Sequence, residues 1–298
     1  MKGRKPHPGP ADLLPFIPSD QKVLLNWRRM IDSGFLVPPP ASGNKSSYQP
    51  FIILAFQRTG SSFLSNLLQS HPDIVCYSEV FHPEHCSFDY PFYPDTLHPE
   101  ILRFRKEDPR QFLNTWIFRA YGENVCAAGL KIHYPQWEDI QFKPAMKEIA
   151  AISSLKIIHL VRENYLDILV SHRMAQKSGK WWKSISELQS MNPDHSYSSQ
   201  PITIDPLEAE AFFTMYEGKL RDFRRTFTHR EVFEISYESL CGQFNQGCTD
   251  LLKFLGAPQR QLISRILKQK DRPNEEILVN YSSLKTYFKN SRWKHFFS

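Results

Sequence analysis

Apolar positions along the chain gather into five short strand-like runs, and most are followed by a stretch in which they recur at helical spacing. The first run, Phe51 to Phe56, gives way to a polar turn, after which Phe63, Leu64, Leu67 and Leu68 share one face of a predicted helix. Asp73 to Tyr77 reads as a second strand, since His71-Pro72 stops the helix before it. Val125 to His133 and Leu155 to Val161 read as buried core strands. The helix after the latter, from Tyr165 to Met174, is apolar nearly all round and predicts a buried element. Glu231 onward predicts a last strand running into a helix by Leu240. Helices are expected from Pro99 to Tyr121, Pro144 to Ile152, Ala209 to Phe227, Cys248 to Leu255, Leu262 to Leu267 and Asn280 to Phe297. Alternation of this kind defines an α/β domain with a mainly parallel central sheet covered by helices on both faces.

The N-terminal part follows a different pattern. Residues 1–18 contain five prolines and predict irregular chain. Val23, Leu24, Trp27, Met30 and Ile31 then form one helical face, opened by Ser19 or Asp20 and closed by Gly34. That face is read as packing on the main domain, with a homo-oligomer contact as the other reading. Val37 to Ser47 is a linker, stiff through its prolines and flexible after them. The boundary is therefore drawn between an extension, 1–49, and one domain, 50–298.

The chain has 298 residues and 41% apolar content, enough to bury a sizeable core and to exclude global disorder. A net charge of +6 favours an anionic ligand. No run of five or six Lys/Arg stands out, so the charge points to a small anion and not to nucleic acid. Five cysteines without framework spacing, no apolar leader and no membrane-length run predict reduced thiols in a cytoplasmic compartment. His82, His85, Cys86 and Cys76 match no structural zinc spacing, so no metal is expected.

The chemistry concentrates at the ends of the strands. Arg58-Thr59-Gly60-Ser61-Ser62 joins the first strand to its helix, which makes an anion site from helix amides, hydroxyls and a fixed cation. The ATP/GTP loop needs Lys directly before Ser/Thr; here the cation precedes the glycine, which argues against Mg-dependent phosphoryl transfer. Glu79, past the second strand, lies at the same sheet edge and suits a general base. Lys131 is the only charge in its strand, read either as an electrophilic aid or as an ordinary buried-stem lysine. Arg162 ends the fourth strand and Ser171 follows on the next helix, a guanidinium and a hydroxyl suited to a second phosphate.

Two such turns in this order resemble the sulfotransferases that use 3′-phosphoadenosine 5′-phosphosulfate (PAPS), with the loop written as in the carbohydrate-type branch. Gln176 to Trp182 is similar to a segment of bacterial trehalose-type relatives. The resemblance implies a P-loop nucleotide-kinase-like, three-layer α/β/α fold and in-line sulfuryl transfer to a hydroxyl or amine, leaving adenosine 3′,5′-bisphosphate, without a metal. It assigns Arg58, Thr59, Gly60, Ser61, Ser62 and Phe63 to the 5′-phosphosulfate, and Arg162 and Ser171 to the 3′-phosphate, although the nine-residue spacing departs from the usual eight. It also suggests Lys268, Lys270 and Arg272 as a basic loop over that phosphate, and Lys131 as support for the sulfuryl oxygens. Glu79 is the implied base, with His82 as runner-up because the phenol-type branch uses a histidine. Tyr237-Glu238-Ser239-Leu240 is similar to a family Tyr-Glu-x-Leu and is read as structural. The acceptor, a glycan or small molecule, stays open; a nucleotide-dependent kinase or NTPase is the alternative function.

Overall fold

The computed structural model describes residues 47–84, 86, 99–179, 181, 201–264, 266 and 272–297. The expected N-terminal helix, most of the linker, His85, the segment 184–200, Lys268 and Lys270 lie outside them.

Five parallel strands run in the order β2-β3-β1-β4-β5. β1 is Gln49–Ala55, β2 Ile74–Tyr77, β3 Ala127–His133, β4 Lys156–Val161 and β5 Glu231–Ser236. Central β1 is flanked by β3, with Ile53 beside Lys131, and by β4, with Ile53 beside Ile158. The chain fills positions on one side of β1 with β2 and β3, then crosses to the other for β4 and β5. That reversal opens a crevice at the carboxyl ends of β1 and β4, where ligands bind in open parallel sheets.

Alternation along the strands feeds two cores. Ile52, Leu54, Leu130, Ile132 and Ile157 face one side. There they meet the long helix α7 (Pro206–Thr226) through Tyr216, Leu220 and Phe223. Phe51, Ile53, Ala55, Ile158 and Leu160 face the other. They are covered by α1 (Ser61–Gln69) and by α9 (Phe244–Leu255), which follows the short α8 (Tyr237–Gly242). A third cluster joins α6 (Tyr165–Ser178) to α7 and to the C-terminal aromatics Phe288, Trp293, Phe296 and Phe297. Gly129 is required where β3 passes β1, because a Cβ there would collide with the Phe51 carbonyl.

Several expected helices are shorter or interrupted. The stretch after Pro99 divides into α2 (Pro99–Glu107), α3 (Pro109–Phe112) and a π-type turn over Leu113–Ile117. Asp108 causes the first break, since it precedes a proline and caps α3 through Gln111 N at 2.8 Å. After β3 come α4 (Tyr134–Glu138) and α5 (Lys143–Ala151). Leu262 to Ser264 are not helical; they lie along α1, where the Ile263 amide donates to Ser70 Oγ at 3.0 Å. The helix expected from Asn280 to Phe297 is likewise divided, into α11 (Tyr281–Phe288) and a 3₁₀ turn at Lys294–Phe297, and it is preceded by the short α10 (Asn274–Ile277). Ser291 makes the last break by accepting the Trp293 amide.

Candidate active site

The loop after β1 is held in an unusual backbone shape. Arg58 has φ of 67° and Gly60 has φ of 91°. Left-handed geometry at a non-glycine residue is strained and must be fixed by its surroundings. Here Arg162 Nη1 donates to the Arg58 carbonyl at 3.1 Å. Thr59, fully buried, donates its hydroxyl to the Phe56 carbonyl at 2.7 Å, so that hydroxyl shapes the turn and does not face the crevice. Position 60 must be glycine for a second reason: a Cβ there would run into the Tyr237 ring. No side chain caps the start of α1, so its first-turn amides are open to an anion.

Ser61 and Ser62 point in a shared direction, toward β3. Ser62 Oγ accepts from Lys131 Nζ at 2.9 Å, and the same ammonium is 2.9 Å from Glu79 Oε1. Ser61 Oγ is 2.9 Å from His133 Nε2. The other imidazole nitrogen, Nδ1, is 3.3 Å from Glu79 Oε2. Gln136 closes the group by donating to Glu79 Oε2 at 3.1 Å while accepting the His133 amide at 3.0 Å. Lys131 and His133 are two apart on one strand, hence on one face. Ser61, Glu79, Lys131, His133 and Gln136 are buried, and Ser62 is half-buried.

Burial by itself would raise the Glu79 carboxyl, but Lys131 and His133 outweigh it and hold the group well below the usual carboxylate range. His82 sits outside this group, with its Nδ1 accepting the Glu84 amide at 3.2 Å.

The second turn contacts the first. Arg162 Nη2 is 2.9 Å from Asp167 Oδ2, and its Nε is 3.7 Å from Glu238 Oε1. Ser171, expected beside Arg162, meets Arg58 instead, accepting from Nε at 3.1 Å and Nη2 at 2.9 Å. Arg58 also donates to the Trp181 carbonyl and lies 6.0 Å from that ring. Burial, then Arg162, lowers the Arg58 guanidinium to about 10, so it stays a cation at neutral pH. Asn274, opening α10, donates to Asp167 at 3.0 Å, so the C-terminal segment reaches the same corner. Arg272, two residues earlier, is half-buried.

His133, Gln136 and Asp167 were not singled out from the sequence. The two-residue step from Lys131 to His133 was the available signal for the histidine. Gln136 and Asp167 offered none, looking like ordinary helix-start polar residues.

An uncapped helix start beside fixed cations makes this crevice an anion site. The chain belongs to the Sulfotransferase family, which it matches over residues 50–261. It is similar to Nodulation protein H of Rhizobium meliloti strain 1021, at 28% identity over 255 residues, covering 84% of this chain and 95% of that protein. Nodulation protein H of Rhizobium tropici is 28% identical over 256 residues, covering 84% and 94%. Among solved structures, a sulfotransferase from Alicyclobacillus acidocaldarius aligns over 85% of this chain and 96% of that one, at 16% identity and a TM-score of 0.45. The protein is thus a transferase of the sulfotransferase class. No helix among the described residues is long and apolar enough to cross a membrane.

Proposed function

We propose that this sulfotransferase takes its sulfuryl group from PAPS and passes it, by in-line displacement, to a hydroxyl of a carbohydrate, glycolipid or small-molecule metabolite. One observation carries the reading: a single buried ammonium, Lys131 Nζ, lies 2.9 Å from both the anion-loop hydroxyl of Ser62 and the Glu79 carboxylate. Sulfuryl transfer needs a base at the acceptor oxygen and positive charge at the leaving phosphate, a few ångströms apart. The residues fit the donor, since Arg58 and the uncapped α1 terminus suit its 5′ end, while Arg162 and Ser171, the latter held by Arg58, suit its 3′-phosphate. Lys268, Lys270 and Arg272 remain the proposed basic cover.

In this reading the acceptor oxygen bonds to sulfur as the bond from sulfur to the phosphate oxygen breaks, and the acceptor's proton passes to the base. Fixed cations and amides stabilise the departing phosphate charge, where one well-placed donor is worth about 10²–10³ in rate. Glu79 is the assigned base. A carboxylate held this far below its usual range is a weak base while Lys131 faces it. As charge grows on the leaving phosphate, Lys131 is drawn toward Ser62, and Glu79 gains basicity when the proton moves. His133 offers a second base, because its Nε2 faces Ser61 while Glu79 faces its Nδ1.

The choice of a carbohydrate-type acceptor rests on the Arg-Thr-Gly-Ser-Ser loop and the segment ending at Trp182. Labelled PAPS with a panel of sugars, glycolipids, phenols and steroid alcohols tests it. Transfer to a sugar hydroxyl is expected; transfer to phenols alone would overturn the acceptor. Calorimetry showing Mg-ATP bound and adenosine 3′,5′-bisphosphate ignored would favour the kinase-like alternative and overturn the donor.

A further inference from the structure

Tyr237 and Glu238 open α8 at the end of β5, outside the group that handles donor and acceptor, yet they touch both anion turns. The Tyr237 ring fills the space beside Gly60 so closely that no Cβ fits there. The same ring carries the Arg162 guanidinium over its face, 4.9 Å from ring centre to Cζ. It also meets Phe63, in the first turn of α1, edge to face at 6.5 Å between centroids. Glu238 addresses the backbone of the second turn, with one oxygen accepting the Glu163 amide at 3.0 Å and the other the Asn164 amide at 3.4 Å. Its Oε1 lies 3.7 Å from Arg162 Nε, and Arg162 reaches on to the Arg58 carbonyl at 3.1 Å.

From this geometry we infer that Tyr237 and Glu238 are positioning residues that couple the two phosphate subsites, so that filling one prepares the other. The inference rests on the donor reading above. The coupling acts through Gly60 and Arg162, both of which the Tyr237 ring touches. A left-handed glycine and a strand-end arginine lean on one ring, so order imposed on either is felt by the other. Glu238 fixes the second turn by holding its two amides. The Tyr-Glu pair, read from sequence as a structural motif, is thereby the shared wall of both turns.

Coupling of this kind has a measurable form. The ratio Kd(adenosine 5′-phosphate) × Kd(adenosine 3′-phosphate) / [Kd(adenosine 3′,5′-bisphosphate) × Kd(adenosine)] equals one for independent phosphates and exceeds one for coupled ones. Calorimetry with the four ligands on the full chain is expected to give a wild-type ratio of about 5 to 150. Tyr237→Leu and Glu238→Gln should each bring it down toward one, whereas Tyr237→Phe, which keeps the ring, should retain it. A purely structural role would weaken all four ligands together or lower the melting temperature, leaving the ratio unchanged. A wild-type ratio of one, or a ratio that survives in both Tyr237→Leu and Glu238→Gln, overturns the inference. Should Tyr237→Leu fail to fold, Glu238→Gln against Tyr237→Phe decides. Failure of wild-type protein to bind the bisphosphate better than adenosine would instead overturn the donor reading, and the coupling with it.

Discussion

Lys131 on β3 and Glu79, two residues past the end of β2, form a buried ion pair 2.9 Å apart. Neither charge is tolerable without the other, because a buried ion stripped of its partner costs about 3–5 kcal/mol. Lys131→Met and Glu79→Gln should therefore each lower stability by several kcal/mol as well as abolish transfer, the second because it leaves a fully buried ammonium with hydrogen bonds but no counter-charge. Thermal melts beside single-turnover assays separate the two effects.

The same pair sets an acid limit. In the fold the Glu79 carboxyl is held far below its ordinary range, while in the unfolded chain it titrates near about 4.3. Its contribution to stability is therefore fully present above that value and is lost as pH falls through the depressed folded one. Melting temperature measured from pH 6 down to pH 2 should drop in that acid window. The drop contributed by this group should vanish in Glu79→Gln.

Assignment of the base can be decided by two substitutions. With Glu79 as base, Glu79→Gln loses about 10²–10⁴ in turnover and keeps nucleotide binding. His133→Asn then loses far less. The reverse order would move the role to the imidazole and leave Glu79 as its orienting partner. Calorimetry with adenosine 3′,5′-bisphosphate confirms that binding survives in both.

Arg58 holds Ser171 with two nitrogens of one planar fork. A lysine cannot reproduce that geometry. Arg58→Lys should weaken adenosine 3′,5′-bisphosphate by roughly 10- to 100-fold, as expected for losing a charged hydrogen bond. Ser171→Ala should cost less, since it removes the acceptor and leaves the charge. Isothermal titration of both variants gives the ranking.

Gly60→Ala is predicted to cost at least about 1–3 kcal/mol from backbone conformation alone, with the Tyr237 collision added to it. A melting curve and the nucleotide affinity should both fall. Survival of tight binding in this variant would mean that the loop has another stable shape.

The strand-turn-helix around Gly60 was legible in the sequence because a buried parallel strand is a plain apolar run and the turn residues are chemically distinct. The parallel sheet followed from five such runs separated by helical stretches. What could not be read is where side chains point across long separations. Arg58, which meets Ser171, has a left-handed φ, a shape no propensity assigns to arginine. The family resemblance paired Ser171 with Arg162, but Asp167, one turn ahead of Ser171 on the same helix, takes that guanidinium. Gln136 stayed invisible because a glutamine after a proline looks like any first-turn residue; its partner is fixed only when β2 and β3 lie side by side. The breaks near Asp108 and Ser291 were missed because side chains competing for backbone amides leave the apolar period intact.

Strand β3 carries Lys131 and His133 on one face and Leu130 and Ile132 on the other. Insertion or loss of a single residue ahead of Lys131 would turn both polar side chains into the opposite oily layer and send two aliphatic chains to the face that meets Glu79 and Ser61. This stretch tolerates exchange of residues but not a change of length, whereas a residue added in a loop leaves that reading frame of sides untouched.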